Sequence, residues 1–484
     1  MRTIEVAVIG AGPTGLMLAC ELAMRGIRVE VFEKRTDLPN ITRAFAVHAR
    51  TLELLDARGL ADDEFSRGFQ VSAVAPAPGV TLSLAKDLRT RYPTLLIVAQ
   101  SGTEQLLTAR AEQLGVTFVR GAEVVELRQD RDGVVIGLAN DDSVRAGYVV
   151  GCDGAHSAVR RALGVPFAGK QYQTHILLAD VQLTRPPDDR LFARTNNQGL
   201  VLVIPFGDGW YRVTAWDRQR EQAPLTEPVT MTEIRDAFDR IAGDDYGLSE
   251  MRWSSRFLSE RRQAEHYRVG RVFLAGDAAH IHSPIGGQGM NTGIGDAMNL
   301  GWKLAAAVRG SASDWLLDSY ESERHPVGAS VLALTDTLNQ LVLGQSAARR
   351  VLQRLAMRAL THFSYGRRRL AERLSGIGIA YPRRRADNRL VGRRMPDVDC
   401  GGTRLYEVLR SGRFVLVTSA QIPGLDRPGV DHVVHVDPKL PAAMLIRPDG
   451  YIAWATRGTP DATQVSAVLD RWCGLQASIA CTSS

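Results

Sequence analysis

Cysteine is scarce and scattered in this 484-residue chain. Its five thiols, Cys20, Cys152, Cys400, Cys473 and Cys481, form no CxxC pair, which argues against both a disulfide framework and a zinc site. No stretch approaches the roughly 18 consecutive apolar residues that a membrane span requires. The apolar N-terminus reads as a buried strand, not a signal segment, so a cytoplasmic protein without membrane attachment is expected. Aromatic residues make up only 6%, but 45% hydrophobic content over this length suffices for two to four domains. Internal repeats and low-complexity blocks are absent.

The formal charge is +6, and most of the excess is local. Fourteen arginines between Arg349 and Arg394 share their tract with two acids, Glu372 and Asp387. A nucleic-acid surface would bring a recognised motif or aromatics interleaved on one basic face, and neither is evident. The tract therefore reads as a solvated helical face and an interdomain linker, with attraction of an anionic substrate or nicotinamide phosphate as the alternative. A nucleic-acid partner is not expected.

Two segments carry the chemistry. At the N-terminus, the apolar run 4–9 is followed by Gly10, Gly12 and Gly15, a helix over Pro13–Arg25, and a strand over Arg28–Phe32 that ends at Glu33. This is a complete βαβ start. Gly10 allows the tight turn, Gly12 lets a pyrophosphate approach the backbone, Gly15 permits close helix–strand packing, and Pro13 suits the first helical turn. Glu33 lies 23 residues after Gly10, where an acid reaches a ribose 2′-hydroxyl, which favours FAD or NAD over NADP at this position.

The second segment, Arg271–Asn291, reads as a short buried strand stopped by Gly276-Asp277, then a Gly-rich loop opening a helix after Met290. Pro284, Gly286, Gly287 and Gly289 keep side chains clear, so backbone N–H groups can face an electron-rich ligand. A simple NAD dehydrogenase has no need of two nucleotide-directed motifs more than 260 residues apart, whereas a ligand as long as FAD does. A second GxGxxG, a redox dithiol and a WxWxIP segment are all missing. That excludes disulfide reductases, two-fingerprint oxygenases and flavin halogenases.

Strands at Val116–Arg120, Glu123–Arg128, Gly133–Leu138 and Val144–Val150 follow a helix over Leu107–Gly115. Alternating segments such as Ile176–Leu183, Leu200–Phe206 and 210–216 then suggest an inserted antiparallel sheet. Helical patterns return from Asp296 to about Arg373, and the last hundred residues alternate strands with a helix near Val465–Trp472. The expected layout is α/β: a discontinuous Rossmann-like FAD domain (1–174 and 266–380), an inserted, mostly antiparallel substrate sheet (175–265) and a C-terminal α/β domain (386–484).

On these motifs the chain resembles the FAD-dependent aromatic-ring monooxygenases of the p-hydroxybenzoate hydroxylase type. GAGPTG with Glu33 is similar to their pyrophosphate and adenosine site. Cys152-Asp153-Gly154 with Ser157 and Arg160 is similar to their DG motif, and Gly276-Asp277 with Pro284 to their GD motif. Arg43 through Arg50, Gln100 with Thr103-Glu104, HIHSPIGGQGMN and YESERHPVG (320–328) resemble the bacterial branch that tailors aromatic polyketides or hydroxylates rifamycins. Ala99 stands where a proline is common in that branch.

The resemblance implies a thioredoxin-like C-terminal domain lacking the dithiol, and a flavin site distributed along the chain. Thr14 and the Gly10–Gly15 backbone would hold the pyrophosphate, and Glu33, Lys34 and Val124 the adenosine half. Arg43 and Gln100 would reach the pyrophosphate and ribityl chain, with Asp153 in the DG motif. Asp277 would accept from ribityl hydroxyls, while Gly287, Gly289, Met290 and Asn291 meet the pyrimidine edge. The implied reaction uses NADPH or NADH and O2, through a flavin C4a-hydroperoxide, to hydroxylate a phenolic natural product. An antibiotic-inactivating or Baeyer–Villiger outcome is the alternative, and a non-oxygenating FAD-binding redox sensor is the reading from another class.

The flavin would carry that chemistry, so no catalytic base is assigned. His48, His280 and His282 are read as structural, and Arg43 as the one side chain that would also meet substrate or nicotinamide. Phe206, Trp210, Trp216, Trp253, Pro284 and Gly286 are the candidates to line a substrate pocket, with core packing as the alternative for the aromatics. A small aromatic substrate is the expected partner, bound by a monomer or homodimer.

Overall fold

The computed structural model describes residues 1–37, 44–77, 80–188, 191–206, 208–343, 347–422, 425 and 427–474. Short apolar strands alternating with helices build a mostly parallel sheet from the first 151 residues. Strand β1 (Arg2–Ile9) leads through α1 (Pro13–Ala23) to β2 (Val29–Glu33). Helices α2 (Ala49–Asp56) and α3 (Gln100–Gln113) precede β3 (Thr117–Arg120), β4 (Val124–Gln129), β5 (Val134–Leu138), β6 (Ser143–Gly151) and α4 (Ala158–Ala162). Cys20, expected as a buried thiol, is 4% exposed in α1.

Next come β7 (Phe167–Leu183), β8 (Phe192–Thr195), β9 (Gly199–Pro205), β10 (Trp210–Asp217), α5 (Met231–Ile241) and β11 (Leu248–Ala264). The chain then returns to the first sheet with β12 (Val272–Leu274) and passes through β13 (His280–Ile281) into helices α6 (Gly289–Val308), α7 (Asp314–Leu343), α8 (Ala347–His362) and α9 (Ser364–Leu374). The parallel strands run in the order β12-β6-β1-β2-β3, with β5 and β4 added antiparallel beyond β6. The second sheet runs β8-β9-β10-β7-β11-β13.

Strand β7 begins at Phe167, well before the boundary expected at 175. Residues Phe167–Gln171 pair with Glu260–Ala264, but they are largely exposed on both faces, so no apolar alternation marks them as strand. Helix α3 likewise starts seven residues before the expected Leu107, because its first turns are polar. In the second sheet, odd-numbered residues such as Leu177, Ala179, Val213 and Ala215 pack against Ile234 and Phe238 of α5. The opposite face is left to Leu178, Asp180, Arg212, Thr214 and their neighbours.

The C-terminal strands β14 (Phe414–Thr418), β15 (Val430–Val434), β16 (Ala443–Ile446) and β17 (Ile452–Thr456) precede α10 (Ala462–Cys473). Their order is β15-β14-β16-β17, with the first pair parallel and the others antiparallel, a thioredoxin-like arrangement. Buried arginines dock this unit. Arg447 donates to Glu323 Oε1 at 2.7 Å and Oε2 at 2.9 Å, and Lys303 reaches the same carboxylate at 2.8 Å. Arg58 links Glu21 to the carbonyls of Leu409 and Pro448.

The arginine tract is not uniformly solvated as expected. Arg394 is buried against Glu53 at 2.8 Å, and the exposed surface of α8 and the start of α9 carries Val351, Leu352, Leu355 and Tyr365. Burial alone would raise the Glu323 carboxyl, but Arg447 and Lys303 outweigh it and hold the group well below the usual carboxylate range. Replacing Arg447 by Met leaves Glu323 and Asp449 short of their partner and should destabilise the fold by about 3–5 kcal/mol in urea titrations. A change under about 1 kcal/mol would contradict this docking role. A depressed carboxyl contributes stability above its unfolded pKa of about 4.5, so the wild-type should lose this contribution progressively as pH falls below that value.

Candidate functional site

Because the central strands are parallel and in register, their carboxyl ends meet at one edge of the sheet. Ile9 lies opposite Phe32 and Gly151, and Gly151 opposite Leu274. Gly10, Glu33, Cys152-Asp153 and Gly276 consequently leave the sheet side by side, where open α/β sheets bind ligands. The glycines are forced by close approach. A Cβ on Gly10 would lie 2.5 Å from Cys152 O, and one on Gly15 2.0 Å from Gly10 O, while one on Gly12 would meet nothing. The two blocked positions serve packing, and the open one faces free space.

Thr14 joins the two distant motifs. Its Oγ1 would be 2.6 Å from a Cβ on Gly276 and 2.1 Å from one on Gly293, so α1, the Gly276 turn and the first turns of α6 interlock only with glycine at both positions. Helices α1 and α6 both begin without a side-chain cap and without an acid in the first turn. Uncapped N–H groups at a helix start favour an anion or an electron-rich edge. The loop before α6 is braced from behind. The Asn291 amide donates to the carbonyls of Ala46 and Gly287, both at 2.8 Å, and its oxygen accepts from His48 N.

Between Val272 and His280, Asp277 alone is exposed, and no described residue hydrogen-bonds its carboxylate. His282 lies beside it. Its Nδ1 pairs with Ser283 O at 2.8 Å, and its Nε2 is buried without a partner. Both Nε2 and Asp277 Oδ1 fall just under 4 Å from where a Cβ on Gly289 would stand. Burial holds the imidazole below its ordinary pKa, leaving Nε2 as a bare acceptor beside an unpaired carboxylate. Two convergent acceptors next to an uncapped helix start suit a hydroxyl-rich chain ending in an electron-poor ring, which is what FAD presents. The residues present fit that cofactor.

Other expected residues have different partners. Glu33 is 5% exposed, accepts from Ala11 N at 2.8 Å and pairs with Arg35, which together hold its carboxyl below the usual range against the effect of burial. Asp153 takes Ser157 Oγ and the N–H groups of Ala158 and Val159, so it positions the start of α4. From that helix Arg160 reaches Ala278 O at 2.9 Å, which braces the Gly276 turn. Gln100 spans Ala44 N and Glu104, Lys34 is exposed at the end of β2, and Val124 is buried in the core with only its backbone to offer. Arg43 lies outside the described residues. His280 is buried and pairs with Asp296 at 2.7 Å.

The aromatic candidates separate. Phe206, Trp210 and Trp253 surround the guanidinium groups of Arg212 and Arg252, at the level where Asp180 pairs with both Arg212 and Trp253. Trp253 precedes Arg262, the partner of Ile281, by nine positions, or about 30 Å of extended strand. The register thus does not bring Phe206 and Trp210 beside Pro284 and Gly286. Trp216 lies closer along the sheet but is 2% exposed. Sequence reasoning missed Thr214, whose buried Oγ1 lacks a partner on the face turned away from α5. It also missed His282 Nε2, a buried acceptor without a partner, which has no signature in residue spacing.

The FAD binding domain family matches residues 3–335, and the aromatic-ring hydroxylase C-terminal family matches residues 388–475. A rifampicin monooxygenase from Streptomyces venezuelae is 42% identical over 93% of this chain and 95% of its own. The solved OxyS anhydrotetracycline hydroxylase from Streptomyces rimosus superposes with a TM-score of 0.87 at 37% identity, covering 98% of this chain and 100% of its own. CabE, an aromatic hydroxylase from angucycline biosynthesis, gives 0.86 at 35% identity over 97% and 99%. With its sheet-edge cradle, inserted sheet and thioredoxin-like terminus, this chain belongs to the family of FAD-dependent aromatic-ring monooxygenases.

Proposed function

We propose that this enzyme hydroxylates a phenolic, polyketide-type aromatic compound, using NADPH or NADH and O2. The observation that carries the assignment of the cofactor cradle is the convergence of Asp277, His282 Nε2 and the uncapped start of α6 at the carboxyl edge of the sheet. These residues would hold FAD, which with the nicotinamide as reductant and O2 would supply the activated oxygen for an electron-rich ring.

The chain's own residues bind, orient and exclude water. Gly12, Thr14 and the start of α1 take the pyrophosphate, and Glu33 offers its remaining lone pairs to the adenosine ribose, with Lys34 and the Val124 backbone nearby. Asp277 and His282 Nε2 accept from ribityl hydroxyls. The N–H groups of Gly289, Met290 and Asn291 stabilise negative charge on the pyrimidine edge. The inserted sheet presents its face opposite α5 to the substrate, with Leu178, Leu202 and Thr214 in one register row. With Ser255 paired to Leu178 on the other side, an apolar wall carrying two hydroxyls suits a planar ring bearing a phenol or carbonyl.

A second reading, oxidative modification of a rifamycin-type antibiotic, is favoured by the similarity to the rifampicin monooxygenase. Incubating purified protein with NADPH or NADH and a panel of polyketide phenols, tetracycline precursors and rifampicin separates the two by mass spectrometry. Gain of one oxygen with the ring skeleton intact supports hydroxylation, and cleavage or decarbonylation of rifampicin supports the second reading. Protein that binds flavin yet oxidises no nicotinamide with any of these compounds contradicts both.

Asp277→Ala should raise the dissociation constant for FAD by about 10- to 100-fold, the equivalent of one charge-assisted hydrogen bond, without changing which aromatic is preferred. Flavin absorbance per protein and calorimetric titration measure it. Near-normal flavin content in that variant would show that Asp277 does not face the cofactor.

A further inference from the structure

Behind the loop that leads into α6, on the side of the C-terminal domain, lies a cavity of about 510 Å³. Its walls come from α2, α6, α7, α9, the segment 375–381 and the turn at 449–451. No described residue of the inserted sheet lines it. It is therefore separate from the proposed substrate face, and it shares with the flavin loop only the supports His48, Gln288 and Asn291.

The lining is largely apolar, with Leu54, Met298, Val327, Val331, Leu334 and Ile379 contributing. The volume falls within the 300–1,000 Å³ typical of small-molecule sites. The charges around it do not balance. Arg324 is matched by Asp296 at 2.6 Å, Asp449 by Arg447, and Glu372 by Arg368 at 2.8 Å. Arg373 lines the cavity, is exposed, and forms no ion pair with any described residue. Deeper in, Arg50 is 4% exposed and spends its terminal nitrogens on Glu53, Tyr406 and the Asp449 carbonyl, yet its Nε–H has no partner. A buried guanidinium N–H without an acceptor is costly unless something supplies one. Tyr381 and Tyr451, with ring centroids 4.2 Å apart, add an aromatic wall beside Arg50.

We propose that this cavity is a second small-molecule site, selective for an aromatic carboxylate whose ring lies among the apolar side chains and whose anionic oxygens meet the unpartnered Arg50 Nε–H and the unpaired Arg373 guanidinium. The inference stands apart from the oxygenase reading, since it requires neither turnover nor a particular substrate.

The test uses flavin-loaded protein and two probes of equal shape, 2-naphthoate and neutral 2-naphthamide, followed by calorimetry. Saturable naphthoate binding at least about 10-fold tighter than naphthamide is expected, weakened about 3- to 10-fold in Arg373→Gln and at least 10-fold in Val331→Trp, which fills the cavity. Flavin content should not change in either variant. Ser330→Trp, at the exposed rim, provides a blocked cavity if Val331→Trp fails to fold. Absence of naphthoate binding at millimolar concentration overturns the proposal, as does binding that the cavity variants leave unaltered or that does not distinguish the two probes.

Discussion

The buried carboxylate of Asp296 holds the site together. It accepts from Gly276 N at 3.0 Å, His280 Nε2 at 2.7 Å and Arg324 Nε at 2.6 Å, tying together the turn after β12, the edge strand β13 and helices α6 and α7. Burial opposes the charge, but Arg324 and His280 reverse the balance and keep the carboxyl below its ordinary pKa. This anchor fixes Gly276 at a positive φ of 60° and leaves Asp277 pointing away from the protein interior. Together with Thr14, which packs against both Gly276 and Gly293, it gives the turn and the start of α6 a common reference. The pocket for a ligand and the packing of two helices thus depend on one ion pair.

A similar economy governs the arginines. Those that matter structurally are not in the basic tract alone but lie dispersed, as Arg50, Arg58, Arg324 and Arg447, each buried and each linking elements far apart in sequence. Planar guanidinium groups suit this role because one side chain can satisfy a carboxylate and several carbonyls at once. Through Arg50, Arg58 and Arg447 the thioredoxin-like domain is tied to α2, α1 and α7.

Much of this was legible in the sequence because glycine spacing reports backbone geometry directly. Gly10, Gly15 and Gly276 are required by approaches too close for a Cβ, and a spacing rule detects them. The parallel sheet was equally visible in its apolar runs. What escaped detection depends on neighbours distant in the chain. The strand at Phe167–Gln171 is exposed and patternless, Asp153 is consumed by α4, and Phe206 with Trp210 stacks on arginines at the far end of a strand whose length could not be read from composition. His282 looked like a packing residue, and only its surroundings show that one nitrogen is left bare.

The central claim is that Asp277, His282 and the start of α6 form the flavin cradle. A crystal structure of the flavin-loaded protein tests it most directly. The account predicts ribityl hydroxyls within hydrogen-bond distance of the Asp277 carboxylate and His282 Nε2, beside the N–H groups of Gly289 to Asn291. A ribityl chain bound elsewhere, with Asp277 facing solvent and His282 Nε2 still unpartnered, would contradict it.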